Sequence, residues 1–308
     1  MISVNQLTKS FRDIKAVDSI SFEVGKGEIV GLLGPNGAGK TTTMRLITGF
    51  LYPDAGSVKV NGISVEDDPT SAQRHIGYLA ENNPLYKDML VSDMLSLSAD
   101  LKGIRKSEKK SAMDFAVSAV SISDIFYRPI GELSKGYKQR VGMAMALLHQ
   151  PDIMIMDEPT EGLDPNQRTE IRGLIQKLSK ERTIILSTHV MQEAQAVCNR
   201  LLIINKGRMV ADGTPQDLMK VANREKALVA DIEGNGVEFS LRNLEGAEHI
   251  DLRRTGNERF EARIIYGESA ELQPAISKLA NANGWIIWKI AEEEHKLEDV
   301  FHKLTSEF

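Results

Sequence analysis

The stretch Gly34-Pro35-Asn36-Gly37-Ala38-Gly39-Lys40-Thr41-Thr42 decides the fold. It fits the pattern G-x-x-x-x-G-K-[ST] of a phosphate-binding loop, and it stands between an apolar run at 29–33 and a segment of helical character that begins near Lys40. Glycines let consecutive backbone N–H groups turn towards phosphate oxygens, and the N-terminus of the next helix adds partial positive charge. In this pattern Lys40 reaches the β- and γ-phosphates and the Thr41 hydroxyl can ligate Mg²⁺. The sequence therefore predicts a nucleotide site on a strand, loop and helix.

A second motif places two carboxylates at the end of a buried strand. The run at 153–156 is continuously apolar, as in strands of a parallel sheet, and Asp157 and Glu158 follow it. Because unpaired burial of carboxylates is expensive, this placement indicates a nearby cation. Asp157 suits Mg²⁺, and Glu158 suits a base that orients and polarises the attacking water. Helix N-capping by Asp157 is the alternative, and kinases, GTPases, helicases and transport ATPases all remain open at this point.

The remaining patterns predict an α/β fold, a phosphate-loop NTPase (RecA-like) core with antiparallel β and helical subdomains. Short β-type runs and turn signals fill the first part of the chain, and helical periodicity marks a helical insert at about 85–148. The runs at 153–156 and 183–187 are joined by an amphipathic helix at 166–180, which is the βαβ pattern of buried parallel strands. We assign residues 1–221 to this nucleotide-binding domain.

Residues 222–308 are predicted to form a small C-terminal α+β accessory domain. Gly234-Asn235-Gly236 is interpreted as a hairpin turn between two of its strands. Trp285 and Trp288 are three apart on the last strand, so they would face opposite sides, one in the core and one at the surface. The strands are expected at 228–233, 237–241, 250–254, 259–264 and 285–290, and a helix at 272–283.

The composition fits a soluble globular chain of about two domains, with 308 residues, 42% apolar and 26% charged. A formal charge of −5 gives no sign of a nucleic-acid partner, and the acidic excess lies in residues 222–308. The single cysteine, Cys198, allows no intrachain disulfide or Cys-based zinc site, which fits a reducing cytosol, and we expect it to be buried in a helix. No run reaches the roughly 18–20 apolar residues that span a bilayer, so a membrane role is expected to come through a partner.

The residues between the two nucleotide motifs resemble a family signature. Leu133-Ser134-Lys135-Gly136-Tyr137-Lys138-Gln139-Arg140 is similar to the LSGGQ-plus-QR signature of the ATP-binding cassette (ABC) family, from which Lys135 and Tyr137 depart. Asp164 lies in a segment that resembles the family's D-loop, and His189 follows Ser-Thr as the family's switch histidine does. Phe11 stands where the family has an aromatic residue that stacks on adenine. The resemblance covers roughly residues 1–220 in the family's order.

This resemblance implies ATP and Mg²⁺ as ligands, and a homodimer in which the signature of one cassette contacts the ATP held by the other. Ser134 and Gly136 at a helix start could bind a γ-phosphate through hydroxyl, N–H groups and helix dipole, whereas plain N-capping is the alternative for Ser134 alone. His189 would hydrogen-bond the γ-phosphate or the water, and a satisfied core histidine is the alternative. Glu81 occupies the place of the family's usual glutamine, where its carboxylate can still reach the metal.

The chain's last residues extend the resemblance to one group of the family. The segment 296–304 is similar to the closing segment of subunits that serve ABC-2 exporters, and the stretches 81–86 and 133–165 resemble gliding-motility-associated ATP-binding subunits. This implies an ATP-hydrolysing subunit, peripheral on the cytoplasmic face of the cell membrane, whose partner is an integral-membrane permease that docks near Glu81 to Tyr86. An importer subunit is one alternative, although importers carry different C-terminal additions or none. A non-transport ABC ATPase is another, although it would need a second cassette or a long coiled-coil insert.

Overall fold

The β-type runs form three separate sheets in the computed structural model, which describes residues 1–222, 226–267, 271–293 and 301. The chain divides into two units, one formed by Met1–Pro215 and one that begins at Gln216. None of the helices in these described ranges is both long and apolar enough to cross a membrane. The segment 296–304, on which the exporter resemblance partly rests, lies outside the described residues except for Phe301.

The first unit is built around a six-stranded sheet. Its strands are β3 (Ile29–Leu33), β6 (Ile76–Leu79), β7 (Ile153–Met156), β8 (Thr183–Thr188), β9 (Arg200–Asn205) and β10 (Arg208–Gly213). They lie in the order β10-β9-β3-β8-β7-β6, and all neighbours are parallel except β10 and β9. Every residue of β3, β7 and β8 is buried, as continuous apolar runs predict. The parallel order brings the carboxyl ends of these three strands to one edge of the sheet, where ligands bind in such folds.

An antiparallel sheet forms the second layer of this unit. Its strands are β1 (Ile2–Phe11), β2 (Ile14–Val24), β4 (Ala55–Val60) and β5 (Ile63–Ser64), in the order β2-β1-β4-β5. Alternate residues such as Ile2 and Val4 are buried, and they join residues of the six-stranded sheet in one apolar cluster. The antiparallel subdomain expected from the sequence is therefore confirmed.

Seven helices complete the first unit up to residue 197. They are α1 (Lys40–Ile47), α2 (Pro69–Gln73), α3 (Val91–Leu101), α4 (Lys106–Val120), α5 (Lys135–Leu147), α6 (Pro165–Leu178) and α7 (Met191–Val197). The helices α3, α4 and α5 form the helical insert that was expected at about 85–148. Their buried residues recur at three- and four-residue spacing, for example Met94, Leu95 and Ser98 in α3.

After α8 (Pro215–Ala222), the described part of the second unit has the element order β-α-β-β-α-β. Its strands are β11 (Lys226–Glu233), β12 (Ala247–Arg254), β13 (Arg259–Tyr266) and β14 (Ile286–Glu292), and its helices are α9 (Val237–Arg242) and α10 (Leu272–Asn283). The sheet order β12-β13-β11-β14 with antiparallel neighbours is the ferredoxin-like arrangement. The unit has its own apolar cluster, which includes Leu228, Leu241 and Ile276. The α+β fold is confirmed.

The strand predicted at 237–241 is wrong, because these residues form α9. Gly236 has a φ of 79° and caps this helix, so Gly234-Asn235-Gly236 leads into a helix and the predicted hairpin turn is also wrong. Val237 and Leu241 are four apart and both buried on one helix face, whereas Phe239 is 77% exposed. Apolar and polar residues alternate in this short segment, so its pattern fits a strand, in which residues two apart share a face, and also a helix, in which residues four apart do.

The two tryptophans and the cysteine lie largely as expected. Trp285 is buried just before β14, and Trp288 is 56% exposed with the Arg259 guanidinium 4.5 Å from its ring centroid. Cys198 is buried, and burial raises the pKa of its thiol to about 12, but it lies one residue beyond α7 instead of within a helix.

Candidate nucleotide site

The phosphate loop connects β3 to α1, as the sequence predicts, and two of its glycines are required by close contacts. Gly39 has a φ of 107°, and a Cβ built on it would lie 2.3 Å from the carbonyl oxygen of Ala16. A Cβ on Gly34 would lie 2.3 Å from the carbonyl oxygen of Ile204. Any other residue would clash with backbone at these two positions. The loop is therefore held tightly against neighbouring segments, with the N-terminus of α1 at its end.

The Lys40 side chain is buried and folds back over this loop. Its Nζ donates hydrogen bonds to the carbonyl oxygens of Gly34, at 2.8 Å, and Pro35, at 3.2 Å. The same Nζ lies 3.6 Å from Oε1 of Glu158. The ammonium thus lies at the loop predicted to bind phosphate, where two backbone carbonyls accept its hydrogen bonds and the Glu158 carboxylate compensates its charge.

The Asp157 carboxylate lies at the carboxyl end of β7, beside the loop. Its Oδ1 accepts hydrogen bonds from the Ser187 hydroxyl, at 2.6 Å, and from the Thr41 hydroxyl, at 3.2 Å. Its Oδ2 is buried and has no hydrogen-bond partner within the described part of the chain. A buried carboxylate oxygen of this kind needs a cation or a donor, and carboxylate and hydroxyl oxygens are ligands that Mg²⁺ prefers. Asp157 and Thr41 therefore fit the metal that the sequence predicts.

Glu158 has a left-handed backbone, with a φ of 46°, which is unusual for a residue other than glycine. Its N–H donates to the Ser187 hydroxyl at 2.9 Å, and its Oε2 lies 3.1 Å from Nδ1 of His189. Strained backbone persists where surrounding contacts over-determine it, and such residues cluster at active sites. This backbone conformation places the Glu158 carboxylate between His189 and Lys40.

Lys40, Glu158 and most of the phosphate loop border one cavity of about 380 Å³, whereas Gly34, Pro35 and Asp157 lie outside its lining. Its acidic lining comes from Glu81, Glu158 and Glu161, and the cation among the lining residues is Lys40. The remaining lining residues are Ala16, Asn36, Gly37, Ala38, Gly39, Thr41, Thr42 and His189. The structure thus brings the phosphate loop together with Glu81, Glu158 and His189, as their positions in the sequence predict.

The signature segment lies outside the lining of this cavity. Ser134 is the N-cap of α5, and its hydroxyl accepts a hydrogen bond from the Tyr137 N–H at 3.3 Å. Lys135 is exposed beside it, while Leu133 and Gly136 are buried. Both interpretations of Ser134, as a cap and as a phosphate ligand, place it at a helix start, and the structure has it there.

Asp164 and Phe11 also lie outside the cavity lining. Asp164 caps α6, since its carboxylate accepts from the Gln167 N–H at 3.0 Å. Phe11 ends β1 with 45% of its surface exposed, and the Lys9 ammonium is 5.9 Å from its ring centroid. The ring therefore presents an open aromatic surface.

Sequence reasoning missed Ser187 and Glu161 as members of the site. Ser187 is a polar residue near the end of the apolar strand β8, which pairs with both β3 and β7. A small polar residue at the carboxyl end of a central parallel strand is the signal that could have identified it. Glu161 lies three residues before Asp164, in the segment that resembles the D-loop, and it borders the cavity.

Comparisons with known proteins agree with this geometry. The family model for ABC transporters matches residues 17–161. The uncharacterized ABC transporter ATP-binding protein MJ1023 of Methanocaldococcus jannaschii is 43% identical over 220 residues, which are 71% of this chain and 79% of the relative. The Nod factor export ATP-binding protein I of Burkholderia pseudomallei is 37% identical over 313 residues, covering 99% of this chain and 96% of the relative. A solved structure of the ATP-binding subunit of an ABC transporter is 30% identical, with a TM-score of 0.64 over 72% of this chain and 93% of that one. The chain therefore belongs to the ATP-binding proteins of ABC transporters, the ATPase subunits of that family.

Proposed function

We propose that this chain is the ATPase subunit of an ABC-2 type exporter, of the group that gliding-motility-associated subunits represent. In this proposal two cassettes close around ATP and couple its binding and hydrolysis to transport through a separate integral-membrane permease. The similarity to a Nod factor export protein supports the exporter assignment, because it extends over nearly the whole chain, including the second unit. The observation that carries the ATP-hydrolysing role in this proposal is the meeting of Lys40, Asp157, Glu158 and His189 at the phosphate loop.

ATP binding would rearrange the contacts of Lys40. Its ammonium is held by the carbonyl oxygens of Gly34 and Pro35 and by Glu158, and the β- and γ-phosphates of ATP would replace these partners. The loop N–H groups and the N-terminus of α1 would hold the remaining phosphate charge. The exposed Phe11 ring would stack on adenine.

The residues Thr41, Asp157 and Glu81 would hold Mg²⁺. The Oδ2 atom of Asp157 is the strongest support, since its burial without a partner in the described residues is costly unless a cation compensates it. Ser187 fixes this carboxylate through its 2.6 Å hydrogen bond. When bound, the cation would screen the phosphate charge and polarise the γ-phosphoryl group.

Glu158 would act on the attacking water. Once ATP draws Lys40 away, the Glu158 carboxylate loses its cationic neighbour and is free to accept a proton from water. His189, 3.1 Å away, would keep the carboxylate oriented and contact the γ-phosphate. The helix start with Ser134, Lys135 and Gly136 would come from the second cassette, as the exposure of Ser134 and Lys135 allows.

A second cavity supports a docking place for the permease. It has a volume of about 500 Å³, is lined mainly by apolar atoms and lies beside the segment 81–86, where the family resemblance implies that the permease docks. Phe50 and Leu101 at this cavity are 67% and 80% exposed. Exposed apolar surface of this kind marks interaction sites. In this proposal the chain sits on the cytoplasmic face of the membrane through that contact.

The test is the Glu158→Gln variant, which keeps the shape of the side chain and removes the base. We expect ATP turnover to fall by about 100-fold or more, since general-base catalysis contributes about 10²–10⁴. We also expect an ATP-dependent dimer in size-exclusion chromatography, because the closed state can no longer hydrolyse its nucleotide. The matched control is Glu181→Gln, a carboxylate that is 77% exposed and outside the cavity lining. A Glu158→Gln protein that turns over ATP at the wild-type rate would refute the assignment.

A further inference from the structure

The imidazole of His189 lies between two carboxylates. Its Nδ1 is 3.1 Å from Oε2 of Glu158, and its Nε2 is 3.6 Å from Oε2 of Glu161. Ligand atoms of the three side chains all lie within 4.8 Å of one another. An imidazole has only two ring nitrogens, so both polar edges of His189 already face an anionic partner.

Glu161 lines the phosphate-loop cavity together with His189. About half of its side chain is exposed, and that of His189 is 37% exposed, so an entering nucleotide can reach both. A γ-phosphate that approaches Nε2 of His189 meets the Glu161 carboxylate at the same place. Two negative groups a few ångströms apart in a partly buried cavity repel each other, so they cannot share this nitrogen without a cost.

The backbone that carries Glu161 is fixed, which leaves the side chain as the part that can move. The Glu161 N–H donates to the carbonyl oxygen of Glu158 at 3.1 Å, and the Leu163 N–H donates to that of Thr160 at 3.3 Å. Leu163 is buried, and the Thr160 hydroxyl is hydrogen-bonded to Glu193. Displacement of the Glu161 carboxylate from His189 is therefore a side-chain rotation.

We propose that Glu161 is a positioning residue that holds His189 and competes with the γ-phosphate of ATP for it. This inference rests on the proposed function in one respect, because it takes His189 as the γ-phosphate contact. ATP must displace Glu161, whereas ADP lacks the γ-phosphate and leaves the contact in place. Glu161 therefore weakens the binding of nucleoside triphosphates relative to diphosphates.

The test compares AMP-PNP, which carries a γ-phosphoryl group and is not hydrolysed, with ADP. Both are titrated with Mg²⁺ against a fluorescent nucleotide on the wild-type chain and on Glu161→Gln, which keeps the side-chain size and removes the charge. We expect the Kd of AMP-PNP to fall about fivefold to tenfold, the size of effect expected for one charge at this distance in a partly exposed site. The Kd of ADP should stay within about twofold, and Glu181→Gln should change neither.

Two variants separate this inference from the proposed function. His189→Gln should weaken AMP-PNP binding and leave ADP binding unchanged. If it does so while Glu161→Gln does not tighten AMP-PNP binding, or tightens ADP binding equally, Glu161 is not a competitor for His189 and the inference is overturned. If His189→Gln leaves AMP-PNP binding unchanged, the γ-phosphate contact assigned to His189 is wrong, and the role of Glu161 falls with it.

Discussion

Ser187 connects the Asp157 carboxylate to the Glu158 backbone in the nucleotide site, and its removal should destabilise the first unit. Its hydroxyl donates to Oδ1 of Asp157 at 2.6 Å and accepts from the Glu158 N–H at 2.9 Å. Ser187 is completely buried, so water cannot replace either bond when the hydroxyl is deleted. The Ser187→Ala variant leaves the Glu158 N–H without a partner, while Asp157 keeps its hydrogen bond from Thr41.

The magnitude follows from these two contacts. A buried N–H that loses its acceptor costs about 1–3 kcal/mol, and a hydrogen bond to a charged group contributes about 1.5–3 kcal/mol. Because Thr41 still serves Asp157, we expect a loss of about 2–4 kcal/mol in the free energy of unfolding. For a unit of this size the melting temperature should fall by about 5–12 °C.

The assay can use the chain's own internal reference. Both tryptophans, Trp285 and Trp288, lie in the second unit, so tryptophan fluorescence follows the unfolding of that unit. Circular dichroism at 222 nm is dominated by the first unit, because seven of the ten α-helices in the described residues belong to it. Ser187→Ala should lower the transition seen by circular dichroism and leave the fluorescence transition in place.

Two results would contradict this reasoning. A melting temperature within about 2 °C of the wild type would mean that the two hydrogen bonds contribute little. An equal shift of the fluorescence transition would mean that the substitution acts on the whole chain. Ser111→Ala, at an exposed serine of α4, is the matched control and should change the stability by less than about 0.5 kcal/mol.

Two further predictions concern the core of the first unit. Burial lowers the pKa of His149 from 6.5 to about 4, so the unfolded chain binds a proton before the folded one does. The free energy of unfolding should therefore fall by about 2–3 kcal/mol as the pH drops from 6.5 to 4. Urea titrations at pH 7 and 4.5 should show this fall in the wild type and a smaller fall in His149→Asn. An equal fall in both proteins would mean that His149 is not its source. A Cβ on Gly31 would lie 2.9 Å from Sγ of Cys198, so Gly31→Ala should lose about 1–3 kcal/mol in thermal melts. The same Cβ would lie 3.0 Å from Cδ2 of Leu201, so adding Cys198→Ala should restore only part of this loss. Simple additivity of the two changes would refute a clash with Sγ of Cys198 as a cause.

The sequence predicts those parts of the fold in which the local hydrophobic pattern and the packing of the folded chain favour the same structure. The continuous apolar runs at 153–156 and 183–187 are typical of buried strands in a parallel sheet. The glycines before Lys40 are typical of a phosphate-binding loop. The segment 237–241 could not be assigned in this way, because Val237, Phe239 and Leu241 fit a strand by alternation and a helix by the spacing of Val237 and Leu241. Packing of the two buried residues against the second unit's core decides for the helix.

Site residues that belong to a sequence motif could be predicted. Site residues that come together only in the folded chain were harder to predict. Lys40, Asp157 and Glu158 belong to patterns that are readable along the chain. Ser187 joins Asp157 and Glu158 only because β8 pairs beside β7, and Glu161 reaches His189 only because a short turn follows Glu158. Contacts of this kind depend on strand order and turn geometry, which a single sequence does not specify.

The left-handed backbone of Glu158 and the charge of its side chain act on stability in opposite directions. A residue other than glycine at a φ of 46° carries a conformational cost of about 1–3 kcal/mol, and glycine would relieve it. Glycine would also leave the buried Lys40 ammonium without its carboxylate neighbour, and the loss of one partner of a buried pair costs about 3–5 kcal/mol. A directed-evolution campaign that screens only for heat resistance should therefore keep glutamate at position 158 and find its stabilising changes elsewhere.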